Sequence, residues 1–391
     1  MVMLFEKSEY IERVNKVKES MAVREIEVLI ITDPANMCYL SGYDALSFYE
    51  AQAVVIAPEF EQPVWIGRLQ DYYCAVETTW VDTDNIIAYP DKFLWDTTKR
   101  HVMGFIADYL KEHGLDKKVI GVEMDAYYFT AFWYQWLQKS LPNAIFKDAT
   151  KLVNWIRGIK SEKELEYMSR AARLVEKAMK NAIDKIDVGI RECDVAAGIY
   201  SDIISGNAEF GGDYPSLAPI MPSGKRTSGA HLTWTDKKYQ DNQIVYMEMS
   251  GCYRRYHAPL TRTIYVGKAP QKVHDTAAIV VEGLNTALEL AKPGVTCEEI
   301  ERVWQKTINK YGLEKESRMG YAVGLSYPPV WCEDTAFFKP GEKIELKPNM
   351  TFHMMPGMWL DGYGIAITET FRITEKGSET ITKFPRKLFV K

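Results

Sequence analysis

Two carboxylates stand where a carboxylate is costly. Glu248 lies in the apolar run Val245-Tyr-Met-Glu-Met249, and Glu369 lies in Ala366-Ile-Thr-Glu-Thr-Phe371. A buried strand carboxylate must be paired or used. Used, it attacks an electrophilic carbon or activates water as a general base. The plainer reading of Glu248 is a strand glutamate that faces solvent or pairs with Arg254 or Arg262. Imidazoles titrate near neutral pH and supply the proton transfers that such chemistry needs. His231, in the loop Ser228-Gly-Ala-His-Leu-Thr-Trp234, and His257, two residues before Pro259, are the candidate shuttles. His353, between Phe352 and Met354, reads as a core histidine. Trp234, Tyr214, Tyr327 and Trp331 are placed to box a flat cation by cation–π contact, although aromatics make up 12% of the chain and mostly fill cores. Arg254, Arg255 and Lys225 are candidate anchors for a carboxylate; the adjacent arginines read equally well as an exposed turn.

Elements that position these residues follow from periodicity. Glu27–Thr32, Ala53–Ala57 and Lys118–Glu123 are short apolar runs bounded by turn residues, which predicts strands. His101–His113 carries a helical pattern closed by Gly114. Strand–helix alternation over roughly the first 150 residues predicts an α/β layer. From 149 to 185 apolar residues recur mostly at three and four, and Ser161-Glu-Lys-Glu164 reads as a capping box. A domain boundary is placed near residue 155, giving domains 1–155 and 156–391. Beyond it, strands at Gln243–Ser250, Thr263–Val266, Met350–His353 and Ile365–Ile373 and helices at Val273–Leu290 and Cys297–Tyr311 come in separate runs, an α+β pattern.

At 391 residues the chain is long enough for two or three domains, and its 47% hydrophobic and 26% charged composition is ordinary for a globular protein. A net charge of −5 gives no basic surplus for nucleic acid. The opening Met-Val-Met-Leu-Phe-Glu-Lys-Ser-Glu lacks the charge and apolar core of a signal peptide, and no run is long enough to span a membrane. Six scattered cysteines with no CxxC pair read as reduced thiols. A cytoplasmic location is the resulting expectation.

Several motifs in order carry a resemblance. Asp33-Pro-Ala-Asn36-Met-Cys-Tyr39-Leu-Ser-Gly42-Tyr43, Arg157-Gly-Ile-Lys160-Ser161, Ser223-Gly224 with Ala230-His231, Thr261-Arg-Thr263, Leu346-Lys-Pro348 with Pro356-Gly357, and Thr368-Glu-Thr-Phe371 together resemble the family of prolidases, aminopeptidase P, methionine aminopeptidase and creatinases. The resemblance implies a creatinase-like α/β N-terminal domain and an α+β pita-bread catalytic domain. It also implies a homodimer in which one subunit's N-terminal domain reaches its neighbour's site, for which Phe48, Tyr49 and Arg68 are candidates.

In that family two Asp, one His and two Glu hold two metal ions. By motif position those slots here hold Glu248, Pro259, Tyr321, Met355 and Thr368. Proline and methionine cannot replace carboxylates toward hard cations, so no metal and no cofactor is expected. A further set, Phe210-Gly-Gly-Asp-Tyr214-Pro215, His231-Leu-Thr-Trp234, Ser250–His257, Gly324-Leu-Ser-Tyr327-Pro-Pro329 and Phe384–Lys391, is similar to the ectoine hydrolases. That resemblance implies hydrolysis of a small cyclic amidine: Glu248 as nucleophile or general base, Glu369 as amidinium partner, and His231 and His257 as shuttles. Tyr321, Trp234, Tyr214, Tyr327 and Arg254 would contact the substrate. Tyr321 either hydrogen-bonds substrate or only fills the vacated metal cavity. A metal-dependent Xaa-Pro peptidase, a creatinase-type amidinohydrolase and a non-catalytic binding protein are the alternatives.

Overall fold

The computed structural model describes residues 3–391, so the first two residues of the opening stretch lie outside the described residues. The chain divides into two compact units, one ending at Arg157 and one formed by Gly158–Lys391.

The first unit is built on six strands: β1 (Val28–Ile31), β2 (Ala53–Ile56), β3 (Val64–Arg68), β4 (Ile86–Tyr89), β5 (Val119–Val122) and β6 (Ile145–Asp148). They lie in the order β4-β3-β2-β1-β5-β6, with β1–β5, β5–β6 and β3–β4 parallel and the β1–β2 and β2–β3 pairs antiparallel. Helix α1 (Lys7–Val23) precedes the sheet, and α2 (Pro34–Ser41) follows β1. Asp33 caps α2, its carboxylate accepting from the Ala35 and Asn36 amides, and Pro34 sits in the first turn, where its missing N–H costs nothing. Gly42 closes α2 at φ +83°, and a Cβ there would lie 2.8 Å from the Thr78 carbonyl. The motif Asp33–Gly42 is therefore explained as helix start and stop. Helices α3 (Val102–Glu112) and α4 (Ala131–Ser140) contribute Val102, Ile106, Leu110 and Leu137 to the core under the sheet.

The second unit opens with α5 (Glu162–Lys185), where Ser161 and Glu164 form the capping box read from sequence. Glu164 also accepts from the Tyr256 hydroxyl at 2.7 Å. Helices α6 (Glu192–Ser205), α7 (Gln271–Leu290) and α8 (Cys297–Asn309) complete the helical layer. A long hairpin, β7 (Gln243–Tyr253) and β8 (Tyr256–Val266), pairs Glu248 with Thr261 and Ser250 with Pro259. β8 starts seven residues before the expected Thr263, because Pro259 marks a break by composition yet is carried inside the hairpin. α5 packs directly on β7: a Cβ on Gly251 would lie 1.9 Å from the Ala171 carbonyl, so only glycine fits.

The remaining strands are β9 (Gly320–Val323), β10 (Cys332–Phe338), β11 (Thr351–Met354), β12 (Gly357–Leu360), β13 (Tyr363–Ala366), β14 (Glu369–Thr374), β15 (Gly377–Thr380) and β16 (Phe389–Val390). Five form the sheet β10-β9-β11-β14-β15, β12 and β13 a ribbon, and β16 joins the β8 edge. The single strand expected over Ile365–Ile373 is divided, with Ile367 and Thr368 between β13 and β14. Threonines stitch these pieces to β8. The Thr368 hydroxyl accepts from the Thr261 amide at 2.8 Å, and Thr263 exchanges hydrogen bonds with Ala366 at 2.9 and 3.0 Å.

Candidate active site

Alternation along β7 sets the site. Val245, Met247 and Met249 point into the core shared with α5 and α6. Glu248 therefore faces the other way, into a cavity of about 360 Å3. Ile220 exchanges both backbone hydrogen bonds with Glu248 at 2.9 Å, which fixes the 217–231 segment over it and brings Leu217, Ala230 and His231 to the wall. β9 adds Tyr321, the following loop adds Trp331, and Met355 and Trp359 close another side. Ser317 and Arg318 come from the loop before β9, with Arg318 exposed at the rim and its guanidinium 4.9 Å from the Tyr321 ring centre.

Glu248 is the one carboxylate among the described lining residues. It is 5% exposed, and its carboxylate accepts no hydrogen bond from the described residues. Neither Arg254 nor Arg262 pairs with it: Arg262 is committed to Glu369, and Arg254 sits in the hairpin turn at φ +53°. Burial pushes Glu248 up to about 7, opposed by the positive charge of Lys315. Lys315 is in turn brought down to about 7 by burial, opposed by Glu248. Its Nζ donates to the Met355 carbonyl at 3.2 Å and lies 5.0 Å from the Trp359 ring centre. The Cys332 thiol also reaches the cavity, but burial pushes it up to about 12, which removes it as a thiolate nucleophile.

Tyr321 stands in the cavity wall with its hydroxyl already engaged. It accepts from Trp331 Nε1 at 2.8 Å and pairs with His353 Nδ1 at 3.0 Å. His353 Nε2 continues to the Thr368 hydroxyl at 2.8 Å. Burial lowers His353 to about 3, so it is a neutral link in this chain of hydrogen bonds. Burial and the Glu248 charge raise Tyr321 well above an ordinary phenol. Tyr321 thus holds the wall rigid rather than offering a free phenolate.

The structure brings Glu248, His231 and Tyr321 together, with Trp331, and corrects the other expected members. His257 is fully buried away from the cavity lining. Its Nε2 accepts from the Ser216 amide at 3.0 Å with the Ser216 hydroxyl at the same distance, and its Nδ1 faces the Arg255 carbonyl at 3.0 Å. Both nitrogens are engaged and burial lowers it to about 3, so in this structure it is a neutral, hydrogen-bonded histidine outside the cavity. Glu369 is also absent from the lining. It accepts from Arg262, from Arg386 at 3.2 Å and from the Thr382 hydroxyl, which makes it a structural ion pair. Tyr214 and Tyr327 do meet a flat cation, but it is Arg255, whose guanidinium lies 3.9 and 5.2 Å from their ring centres. Trp234 packs edge-on against Tyr200 beside the α5–α6 core, and Arg254 stacks near Tyr253 in the turn. In the first unit, Arg68 is paired with Asp91 at 3.0 Å.

The sequence marks out neither Arg318, which lines the cavity, nor Lys315, which lies beside Met355 and Trp359. Glu314-Lys-Glu316 reads as a solvated charge run, and only packing shows that Lys315 is 9% exposed while both glutamates stay in solvent.

Family comparison decides the lineage. The model of the metallopeptidase family M24 matches residues 166–375, and that of the creatinase/prolidase N-terminal domain matches 13–159. The chain belongs to family M24. It is a hydrolase chain on that family's two-domain frame, the architecture expected from sequence. An uncharacterized hydrolase/peptidase of Sinorhizobium fredii is 44% identical to it, over 100% of this chain and 99% of the relative. The ectoine hydrolase of Halomonas elongata is 42% identical over 99% and 98%. The crystal structure of prolidase from Thermococcus sibiricus superposes with a TM-score of 0.85 at 21% identity, covering 98% and 99%, a likeness of fold. Within M24, the five positions Glu248, Pro259, Tyr321, Met355 and Thr368 do not fit a pair of divalent cations. One carboxylate remains, Tyr321 and Thr368 are hydrogen-bonded to His353, and the described residues contain no cluster of three or more His, Cys, Asp or Glu able to hold a metal. No helix among the described residues is long and apolar enough to cross a membrane.

Proposed function

We propose that this M24 chain hydrolyses a C–N bond of a small cyclic amidine, with ectoine as the leading substrate, and does so without a metal ion. The observation that carries the proposal is Glu248: a lone, un-hydrogen-bonded carboxylate facing an aromatic-walled cavity of about 360 Å3, a size suited to a small ligand. An amidinium is planar and cationic, and a carboxylate recognises it as it recognises guanidinium. Arg318 at the rim supplies the opposite charge for a substrate carboxylate, so the cavity suits a compact zwitterion. The 42% identity to an ectoine hydrolase over nearly the full length supports the same substrate.

In this reading Glu248 either draws a proton from water that attacks the amidine carbon, or attacks that carbon itself, after which water cleaves the Glu248–carbon bond and frees the carboxylate. The carbon gains oxygen, the ring C–N bond breaks, and His231 returns a proton to the departing nitrogen. The open product is an N-acetyl-diaminobutyrate. A homodimer in solution belongs to the same proposal. Crystals soaked with ectoine test it: density for a ligand against Glu248 with its carboxylate at Arg318 is expected. An empty cavity at saturating ectoine would remove ectoine as the substrate.

A further inference from the structure

Outside the cavity lies a buried carboxylate that the proposed chemistry does not use. Glu192 is the first residue of α6, is 2% exposed and is absent from the cavity lining. It accepts from the Ser223 hydroxyl, from the Thr235 amide at 2.6 Å and hydroxyl at 2.8 Å, and from Arg226 Nη1 at 3.4 Å. The 223–235 segment between Ser223 and Thr235 carries Ala230 and His231 to the cavity. One buried side chain therefore ties both ends of that loop. Arg226 adds a rung across it, donating through Nη2 to the Thr233 carbonyl at 2.7 Å. The middle is held separately: the Met221 amide donates to the Leu232 carbonyl at 3.1 Å, and the Tyr246 hydroxyl to the Gly229 carbonyl at 2.8 Å. His231 needs such ties. It is exposed, and its ring makes no hydrogen bond to the described residues, so it takes its place from its backbone alone. His353, by contrast, is held through both ring nitrogens.

We propose that Glu192 is a positioning residue for the reaction: by pinning both ends of the 223–235 loop it holds the His231 imidazole at the cavity, where a proton must reach the departing nitrogen. The inference rests on the proposed role of His231 as the proton donor. Glu192 touches neither substrate nor the reacting atoms; it acts through the loop. A buried carboxylate is tolerated where donors saturate it, and here those donors are the two loop ends. Its place in the first turn of α6 also suits the positive end of the helix dipole. The tie is made by accepted hydrogen bonds more than by charge, because the Ser223 hydroxyl and the Thr235 amide and hydroxyl are neutral donors. A glutamine at 192 keeps a carbonyl acceptor for Thr235, whereas an alanine keeps none.

A double-mutant cycle on Glu192 and His231, read with ectoine, tests it. Glu192→Ala is expected to lower kcat about 10–100-fold with KM held within about twofold, since a displaced catalytic group costs turnover rather than binding. Glu192→Gln should recover most of that loss. In a His231→Ala background, Glu192→Ala should cost nothing further. A loss of equal size in both backgrounds, or a glutamine variant as slow as the alanine one, overturns the inference. Should Glu192→Ala not fold, Thr235→Val takes its place in the cycle; it removes the hydroxyl bond, keeps the amide bond, and should give a smaller loss that also vanishes with His231→Ala. A second readout needs no substrate. The ring 13C–1H signal of His231 is expected to be single and sharp in wild type and Glu192→Gln, and broadened or doubled in Glu192→Ala or Thr235→Val. An unchanged signal overturns the inference. A changed signal in a protein that opens no amidine supports the pinning and refutes the amidine reading alone.

Discussion

Glu248→Gln should make this protein more stable while abolishing its chemistry. The substitution keeps side-chain volume and removes a charge that burial disfavours. Glu248 is raised from 4.5 to about 7, a shift of about 2.5 units, or roughly 3 kcal/mol at about 1.4 kcal/mol per unit. The sign follows from proton linkage. An acid whose folded value is raised binds its proton more tightly in the folded state, so its destabilising effect is absent below the unfolded value of 4.5. That effect grows as pH rises and is complete above about 7. Lys315, itself near 7, is mostly neutral at pH 8 in both proteins, so the difference there reports Glu248. At roughly 2–4 °C per kcal/mol for a unit of this size, Glu248→Gln should raise Tm by about 6–12 °C at pH 8 and by almost nothing at pH 4.5. Differential scanning calorimetry across that range, paired with activity, is the assay. A variant less stable than wild type at pH 8, or a gain independent of pH, would refute the claim that Glu248 is a buried charge kept for function.

Three further outcomes follow from the same geometry. Because Glu248 and Lys315 both titrate near 7, kcat should trace a narrow bell centred near pH 7, its limbs belonging to the pair; a plateau from pH 6 to 9 would contradict it. Arg318→Leu should raise KM about 10–100-fold, the worth of one charged hydrogen bond to a substrate carboxylate, with a smaller change in kcat; an unaltered KM would remove Arg318 from recognition. Glu369→Gln should destabilise by about 3–5 kcal/mol, because it leaves Arg262 buried without its partner, while the enzyme that remains folded keeps its kcat; a stable but inactive variant would return Glu369 to the site.

The local grammar was plain in the sequence. Ser161 with Glu164 announces a helix start through chemistry that works over three residues, whereas Asp33-Pro34 reads as a turn and proves to be the cap of α2. Glu248 was legible because a charge stands in the apolar run Val245–Met249, where alternation sets it on the face opposite Val245, Met247 and Met249. Glu369 has the same local pattern, yet its fate is decided by Arg262, 107 residues earlier, and by Arg386 and Thr382. His257 likewise reads as a shuttle along the chain, while Ser216, 41 residues earlier, engages its ring in the fold. Lys315 was hidden for the opposite reason: its neighbours Glu314 and Glu316 give it the look of a solvated loop, and only the packing of Trp304 and Trp359 near it shows a buried lysine. Spacing along a chain tells which face a residue takes, whereas its partner is set by how distant strands register.

The central claim is amidine hydrolysis by Glu248 without metal. Proton NMR of ectoine mixed with protein stripped by chelator, with metal content measured in the same sample, addresses it most directly. Ring-opened N-acetyl-diaminobutyrate should accumulate with the stripped wild type and not with Glu248→Gln. Ectoine left intact after long incubation, or turnover that appears only when manganese or cobalt is restored, would contradict the account.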